Sequence, residues 1–215
     1  MDFNKLAEQY KQELLENVLP FWLQHSQDPE FGGYFSCLDR RGEVYDTDKF
    51  IWLQAREVWM FAMLCNKVEA RKEWLDCAVQ GGEFLKKWGH DGNYNWYFSL
   101  DREGNPLVEP YNIFSYTFAT MAFGQLSLAT GNEEYASIAR RTFDIILSKV
   151  DNPKGKWNKL HPGTRELKNF ALPMILCNLA LEIEHLLDEK YLQQTMDNCI
   201  HEVMDVFYTT ALGGI

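Results

Sequence analysis

Residues 31–65 read FGGYFSCLDRRGEVYDTDKFIWLQAREVWMFAMLC, and this stretch decides the fold. Its first part, residues 33–44, combines the strand-favouring Tyr34 and Phe35 with a polar run that ends in Gly42, which is typical of a β-hairpin. The acidic residues at 46–48 can then cap a helix. That helix is apolar on almost every side, so the sequence predicts a helix that neighbours cover on more than one face.

Arg56 lies in the middle of this apolar helix. It follows Trp52 by four residues and precedes Trp59 by three, so the three side chains share one face. A guanidinium group cannot stay unpaired in a dry core. Two interpretations remain open: a carboxylate elsewhere in the chain pairs with Arg56, or Arg56 points into a wet pocket that binds a ligand rich in oxygen atoms.

The composition is that of a globular protein with one or two domains. The 215 residues are 46% hydrophobic and 24% charged, and the net charge is −10. This acidic balance, without any basic run, argues against nucleic acid and anionic membranes as partners. The seven Trp and ten Tyr residues suit a cleft that binds sugars, although aromatic rings also fill protein cores.

The cysteines and the apolar stretches exclude further classes. The five cysteines are scattered and lack metal-site spacing, so we interpret them as reduced residues of a cytosolic protein without a metal. The chain opens with an amphipathic helix pattern and not with a signal peptide. Residues 110–132 carry no charge, but polar residues interrupt the run, which favours a buried helix over a membrane span.

Apolar and charged helices alternate along the chain. The predicted apolar helices span residues 49–66, 111–129 and 167–187, and the predicted amphipathic helices span residues 2–24, 70–87, 133–150 and 189–208. An apolar helix must be enclosed, whereas an amphipathic helix can face water. The alternation therefore predicts concentric layers of paired inner and outer helices.

The hairpin sequence also repeats. YFSCLDRRG, which begins at Tyr34, matches YFSLDREG, which begins 63 positions later at Tyr97, and Asp39 and Asp101 are 62 positions apart. Ordinary turn chemistry can produce two similar hairpins. The accompanying alternation of helices favours a true repeat, in which each unit is a hairpin plus a helix pair, as in an α/α toroid.

The quoted stretch closely resembles the N-terminal motif of the N-acylglucosamine 2-epimerase family. Three further stretches are similar to that family: GGEFL at 81–85, IFSYTFATMAF at 113–123 and ALPMILCNL at 171–179. The resemblance runs from about residue 5 to the end of the chain. It implies an all-α fold, an (α/α)6 barrel or toroid of inner and outer helices with short β-hairpins.

The helix count sets an expectation about extent. Residues 1–215 hold about half of the helices that a closed (α/α)6 ring needs. We therefore expect the N-terminal part of a single barrel domain whose C-terminal half is absent, either as a fragment or as an unusually short family member. A half ring leaves apolar surface uncovered, so self-association is expected, with a homodimer as one form.

The resemblance implies a reaction at C2 of a sugar, the interconversion of N-acetylglucosamine and N-acetylmannosamine. A base removes the C2 proton of the open-chain sugar, an enediolate forms, and an acid returns a proton on the other face. The ALPMILCNL motif favours this N-acyl branch, because relatives that act on cellobiose or mannose carry a histidine in that helix. An epimerase or aldose–ketose isomerase of such unsubstituted sugars is the alternative.

The resemblance also implies site residues. Arg56 falls on the active-site arginine of the family, which would stabilise the developing oxyanion. Tyr34, Trp52, Gln54 and Met174 are implied to bind the substrate. In the family the two histidines that move protons lie in the C-terminal half, so we expect this chain alone to be inactive. Surface or capping roles are expected for its own histidines, His25, His90, His161, His185 and His201.

Other expectations are weaker. No cofactor is expected, although GGEFL has been linked to a regulatory nucleotide in the family, which would make ATP an allosteric activator; the motif lacks the Lys-Ser/Thr pair of a phosphate loop. Tyr116 stands where the family often has an acidic residue. A hydrolase or lyase would need carboxylates across a cleft, and Asp39, Asp48 and Asp101 are the candidates. A non-catalytic helical scaffold is the remaining class.

Overall fold

The computed structural model describes residues 2–110, 112–152, 154, 161, 163–164, 168–208 and 210. The α-helices of this part are α1 (Phe3–Glu13), α2 (Leu19–His25), α3 (Ile51–Lys67), α4 (Lys72–Trp88), α5 (Phe114–Thr130), α6 (Glu133–Ser148), α7 (Ala171–Glu182) and α8 (Glu189–His201). A π-helical turn at Leu14–Val18 joins α1 to α2, and another at Glu202–Phe207 extends α8. A 3₁₀ turn at Glu184–Leu186 follows α7.

The helix predictions are confirmed in kind and shifted at their ends. The second inner helix begins at Phe114 and the third at Ala171, a few residues later than expected. The predicted starts at residues 111 and 167 lie outside the described residues. Among the described helices, none combines the length and the apolar character that crossing a bilayer requires.

Short strands in the described part of the chain form two small sheets. β1 (Cys37–Leu38) pairs antiparallel with β2 (Val44–Asp46), and a second sheet has the order β3 (Lys49–Phe50), β4 (Ser99–Leu100) and β5 (Pro106–Val108). Both predicted hairpins are thus confirmed. β3 pairs with the second hairpin, which joins the two repeats at the point where α3 begins.

The start of α3 differs from the prediction that residues 46–48 cap it. The side chain of Asp46 accepts a hydrogen bond from the backbone N–H of Asp48 at 2.8 Å and so forms a turn before β3. The N-cap residue is Phe50, which is extended and supplies no side-chain bond. The capping prediction is wrong because pairing with β4 keeps the chain extended for two further residues. The N–H of Ile51 bonds instead to the carbonyl of Phe98 at 2.9 Å.

The layers follow the predicted alternation. α3 packs along α5 and α5 packs along α7, and these inner helices are backed by α4, α6 and α8. α5 is buried on every side, as its lack of charge predicted. Its buried hydroxyl groups bond to carbonyls of the preceding turn: Thr117 to Ile113 at 3.0 Å and Thr120 to Tyr116 at 2.9 Å. These two hydroxyl groups are therefore satisfied without a partner helix or water.

The two hairpin turns have matching geometry, which confirms the repeat. Asp39 and Asp101 each accept two backbone N–H bonds within their own turns, at 2.7–2.9 Å. Gly42 and Gly104 follow them with positive φ values of 85° and 102°, which glycine adopts at little cost. These turn roles account for Asp39 and Asp101, two of the three carboxylates that are candidates for a hydrolase or lyase.

A buried ion network ties the first repeat to the second. Lys49 is fully buried and its ammonium lies 3.0 Å from the carboxylate of Asp28. Arg102, from the second hairpin, donates two bonds to the same carboxylate at 3.0 and 3.1 Å. The ammonium of Lys49 also donates to the carbonyl of Gly32 at 2.6 Å and to that of Arg102 at 2.8 Å. The network fixes the hairpins against the N-terminal ends of the inner helices.

Candidate active site

The face of α3 that carries Arg56 is turned toward α5. The guanidinium carbon lies 5.4 Å from the ring centre of Trp52 and 4.6 Å from that of Phe118. The Arg56 side chain is exposed, and within the described part of the chain no carboxylate forms an ion pair with it. Of the two interpretations that the sequence left open, the described residues thus favour a wet site over a structural ion pair.

Two aromatic rings hold the Arg56 guanidinium while leaving its N–H groups open to solvent. Trp52 and Phe118 lie with their ring centres 6.2 Å apart at a tilt of 44°. Stacking on aromatic faces orients the planar guanidinium without using its donors. The donors can therefore bond in pairs to oxygen atoms of a ligand, as expected for a group that stabilises a developing oxyanion.

Phe118 is the site residue that the sequence reasoning missed. The repeat contained the signal: the hairpin turns are 62 positions apart, and Phe118 lies 62 positions after Arg56. The two residues occupy equivalent places on successive inner helices. Their contact follows because the repeat brings those helices side by side.

The C-terminal ends of the inner helices are joined by a polar network. The amide of Asn66 donates to the side-chain oxygen of Gln125 at 2.9 Å, and Gln125 donates to Glu182 at 3.1 Å. The indole N–H of Trp59 donates to the same carboxylate at 3.2 Å. The three inner helices therefore run parallel. The network joins their C-terminal ends, and Arg56 lies nearer the N-terminal ends.

Tyr34 and Gln54 are buried in the core of the described structure. The side chain of Gln54 accepts from the backbone N–H of Tyr34 and donates to its carbonyl, each at 2.7 Å. The Tyr34 hydroxyl donates to the carbonyl of Cys77 at 2.7 Å. Their contacts are those of residues that anchor the hairpin to α3 and α4, and their role in substrate binding stays a prediction.

Trp52 and Met174 lie in different places. Trp52 is partly exposed beside Arg56, as expected of a residue that lines a site. Met174 is half exposed on α7, in an apolar groove that this helix forms with α8. The described contacts do not bring Met174 to Arg56, so a substrate role for Met174 stays a prediction.

Tyr116 points away from the Arg56 face. Its hydroxyl accepts from the ammonium of Lys149 at 2.7 Å and donates to the side-chain oxygen of Asn95 at 3.3 Å. Burial raises the pKa of Tyr116 to about 12 and lowers the pKa of Lys149. The contact between the neutral phenol of Tyr116 and the ammonium of Lys149 joins α5 to the end of α6. Tyr116 therefore has a structural role in this chain.

The two glycines of GGEFL are required for helix packing. A Cβ atom at Gly81 would lie 2.2 Å from the Tyr34 hydroxyl, and one at Gly82 would lie 2.5 Å from the side chain of Leu126. Close approach of α4 to its neighbours therefore accounts for both positions. The motif carries no phosphate-binding loop geometry, because it lies inside a continuous helix.

The described histidines have local partners. His25 packs on Phe21 with ring centres 5.0 Å apart, and His90 stacks on Tyr94 at 4.6 Å. His185 contacts the carbonyl of Gly124 at 3.1 Å, His201 pairs with Asp205, and His161 is exposed. Among the described residues no group of three His, Cys, Asp or Glu side chains could hold a metal ion.

Comparison with known proteins places these features in a family. The family model of N-acylglucosamine 2-epimerase matches residues 33–212, which include Arg56, Trp52 and Phe118. The chain belongs to the N-acylglucosamine 2-epimerase family. It is 40% identical over 174 residues to the N-acylglucosamine 2-epimerase of Bos taurus, covering 79% of this chain and 41% of that protein. It is 37% identical over 200 residues to the Mus musculus protein, covering 88% and 47%.

More distant relatives share the fold. A cellobiose 2-epimerase of Bacteroides fragilis is 28% identical over 145 residues, covering 66% of this chain and 37% of that protein. The solved structure of a sugar epimerase from a ruminal bacterium matches with a TM-score of 0.81 at 22% identity, covering 98% of this chain and 60% of that one. The (α/α)6 barrel architecture is thereby established for the part present here. The chain spans less than half the length of the bovine and mouse relatives.

Proposed function

We propose that this chain forms part of an N-acyl-D-glucosamine 2-epimerase, which interconverts N-acetylglucosamine and N-acetylmannosamine. The reaction inverts C2: the C2 proton leaves to a base, the electron pair moves into the C1–C2 bond to give an enolate with its charge on the C1 oxygen, and a proton returns to C2 on the opposite face. The free energy of this enolate is the main barrier, so the site must stabilise negative charge on oxygen.

One observation carries the proposal. Arg56 is an exposed guanidinium, stacked on Trp52 and Phe118, with no carboxylate partner among the described residues. The cation is held by apolar faces, so its full charge is available to an oxyanion. Aromatic rings beside it also suit the C–H faces of a sugar. We give Arg56 the role of stabilising the enolate oxygen on C1, and Trp52 and Phe118 the role of orienting the guanidinium.

The N-acyl branch is favoured by identity. The relatives named N-acylglucosamine 2-epimerase are 36–40% identical to this chain, whereas those named cellobiose 2-epimerase are 26–29% identical. The alternative substrate class is an unsubstituted sugar such as cellobiose or mannose. A test on both classes separates them.

We propose that the proton transfers need groups outside residues 1–215. A base and an acid must reach opposite faces of C2 within hydrogen-bond distance. The described histidines pack on rings, meet a carbonyl, pair with an aspartate or lie exposed, and none has a described contact with Arg56. The chain alone is expected to bind sugar weakly and to leave C2 unchanged.

The test measures hydrogen exchange at C2 of N-acetylmannosamine in deuterated water. The samples are the purified chain, the bovine relative as a positive control, and a chimera of residues 1–215 with the part of the bovine relative that lies beyond its match to this chain. We expect exchange in the chimera and the bovine protein but not in the chain alone. Exchange only with mannose or cellobiose would establish the alternative, and no exchange by the chimera with any of these sugars would refute the proposal.

Two further expectations concern regulation and setting. ATP as an allosteric activator stays a prediction, and the packing role of Gly81 and Gly82 removes the motif-based reason for it. The five cysteines are all described and all free thiols, which supports the proposal of a reducing, cytosolic compartment.

A further inference from the structure

The carboxylate of Glu182, the last residue of α7, meets the same faces of α3 and α5 that carry the Arg56 site. Trp59, which donates its indole N–H to this carboxylate at 3.2 Å, follows Arg56 by three residues. Gln125, which donates its amide N–H at 3.1 Å, follows Phe118 by seven residues. Both spacings return to the same side of a helix. Glu182 therefore lies on the inner face of the helix layer that also presents Arg56.

Only one of the two carboxylate oxygens of Glu182 is used by these donors. Trp59 and Gln125 both donate to Oε2, and no residue that the structure describes donates to Oε1. Within the same residues no lysine or arginine forms an ion pair with this carboxylate. Glu182 is half-buried. A charged oxygen atom in such a place needs further hydrogen-bond donors, from water or from a ligand.

The donors to Glu182 are themselves held in place. The side-chain oxygen of Gln125 accepts a hydrogen bond from the amide of Asn66 at 2.9 Å, which leaves the Gln125 amide N–H directed at Glu182. Gln125 is essentially buried. The chain thus orients the Glu182 carboxylate before any ligand arrives, so binding through Oε1 costs little side-chain freedom.

We propose that Glu182 is a sugar-binding residue of the Arg56 site, and that its Oε1 accepts a hydrogen bond from a sugar hydroxyl group at C3, C4 or C6. These hydroxyl groups are free in both the ring and the open-chain forms of an N-acyl hexosamine. Trp59 begins about 4.5 Å beyond Arg56 along α3. With the C1 oxygen at Arg56, the rest of the sugar extends toward Glu182. The inference rests on the function proposed above and adds a second anchor to it.

A role as a simple tie between helices does not account for the charge of Glu182. The N–H donors of Trp59 and Gln125 need one acceptor oxygen, and the neutral amide of glutamine would supply it. Placing a carboxylate there instead costs solvation energy. A carboxylate, however, forms shorter and stronger hydrogen bonds with hydroxyl donors than a neutral amide does. The charge is therefore accounted for by a ligand that carries hydroxyl groups.

The first measurement uses the unchanged 215-residue chain and varies the sugar. Ligand-observed NMR compares the affinity of N-acetylmannosamine with the affinities of its 3-deoxy, 4-deoxy and 6-deoxy forms. A site built to bind a hydroxyl group rejects the analogue that lacks it, because a polar group of the protein is then left unpaired. We expect at least one deoxy form to bind at least about fivefold more weakly than the parent sugar.

The second measurement replaces the carboxylate while keeping the contacts between helices. Glu182→Gln retains an oxygen that accepts from Trp59 and Gln125, but an NH₂ group takes the place of Oε1. We expect the thermal midpoint to change by less than about 2 °C. The affinity for N-acetylmannosamine should fall at least about fivefold, and the discrimination against the deoxy form should disappear. Glu184→Gln is the matched control, because it removes the same charge from an exposed residue of the next turn.

Discrimination among the sugars that Glu182→Gln abolishes and Glu184→Gln retains supports the proposal. Equal binding of the parent and all three deoxy forms by the unchanged chain overturns it, and this outcome needs no variant to fold. Discrimination that survives in Glu182→Gln also overturns it and leaves Glu182 a structural role. The proposed function fails separately: N-acetylmannosamine then does not bind, or binds equally well to Arg56→Lys. Binding that depends on Arg56 but not on Glu182 refutes only the present inference.

Discussion

The hydroxyl of Ser26 lies within hydrogen-bond distance of the carboxyl of Glu57, joining the end of α2 to α3. The same hydroxyl lies 2.6 Å from the carbonyl oxygen of Trp22, which can only accept. A hydroxyl has one proton to donate, so both contacts are satisfied when Ser26 donates to Trp22 and a protonated Glu57 donates to Ser26. Burial raises the pKa of Glu57 to about 8, in agreement with a carboxyl that is neutral at physiological pH.

The first prediction is that the free energy of unfolding falls as the pH rises from about 5 to about 9. Glu57 has a pKa of about 8 in the folded chain against an ordinary value of 4.5, so the folded state holds the extra proton in this range. Its stabilisation is complete below the ordinary pKa and is lost as the pH rises through the folded one. Each unit of difference between the folded and the ordinary pKa changes the free energy of unfolding by about 1.4 kcal/mol. The total loss of several kcal/mol is large enough to measure by urea unfolding.

Glu57→Gln is the diagnostic variant for this pH dependence. Its amide can donate to Ser26 but cannot titrate, so the slope between pH 5 and 9 should flatten, within about 1 kcal/mol. Tyr34 and Cys77 also face this carboxyl, but burial raises the pKa of Tyr34 far above neutral and that of Cys77 to about 12. They stay uncharged in this range. An unchanged slope in the variant would assign the pH dependence to other groups.

The second prediction concerns the buried ion network. Burial by itself would raise the pKa of Asp28, but bonds from Arg102 and Lys49 hold it at about 2. Asp28→Asn leaves the ammonium of Lys49 buried without a counter-charge, so we expect a loss of about 3–5 kcal/mol in the free energy of unfolding. Asp76→Asn removes the exposed ion pair with Lys72 and should cost less than about 1 kcal/mol. Equal losses in the two variants would contradict the structural role of the network.

The Asp28 carboxylate also sets the acid limit of stability. Because its folded pKa lies below the ordinary 3.8, its contribution is complete above that value and is lost as the pH falls through about 2. Acid unfolding followed by tryptophan fluorescence should move to higher pH in Asp28→Asn. An acid transition at the same pH as in the unchanged chain would speak against this assignment.

The third prediction is that Gly81→Ala destabilises the chain. Alanine is favoured over glycine in a helix by about 1 kcal/mol, which alone would stabilise α4. The added methyl group would lie 2.2–2.4 Å from the hydroxyl and ring of Tyr34, and overpacking costs about 1–3 kcal/mol. We expect a net loss in urea unfolding. In a Tyr34→Leu background the same change should cost much less; an equal cost would place the strain elsewhere.

The fourth prediction concerns sugar binding by Arg56. Binding of N-acetylmannosamine to the chain, followed by tryptophan fluorescence or ligand-observed NMR, should weaken several-fold in Arg56→Lys, since a point charge does not reproduce the planar fork. Phe118→Leu should weaken it in the same direction. Arg71→Lys is the matched control: Arg71 also stacks on a tryptophan, at 4.6 Å from the Trp74 ring centre, but lies at the start of the outer helix α4. Equal losses of sugar affinity in Arg56→Lys and Arg71→Lys would contradict the assignment of the sugar-binding site to α3.

In the chimera, Arg56→Lys should lower the rate of C2 exchange by more than it lowers sugar affinity. The guanidinium is proposed to bind the enolate oxygen more strongly than the ground-state sugar, so its loss acts mainly on turnover. An equal loss in affinity and turnover would make Arg56 a binding residue only.

The order of layers was predictable from the sequence because it depends on local pattern. A helix without charge, such as α5, has to be enclosed, and an amphipathic helix beside it can face water. The turns at Gly42 and Gly104 were predictable for a similar reason, since Asp and Gly set turn geometry within a few residues. The shared face of Trp52 and Arg56 follows from helical spacing alone.

Tertiary structure decided which polar residues face a site and which hold the core. Gln54 and Arg56 are polar residues two positions apart on α3. The side chain of Gln54 bonds to the backbone of Tyr34 inside the core, whereas Arg56 is exposed. Lys49 is fully buried because Asp28 and Arg102, far away in the chain, surround its ammonium. The meeting of Arg56 with Phe118 also depends on the packing of two helices. The contacts of Gln54 and Lys49 join residues that neither helical spacing nor the repeat relates, so only the folded chain fixes them; the 62-residue repeat does relate Arg56 to Phe118, but helix packing makes the contact.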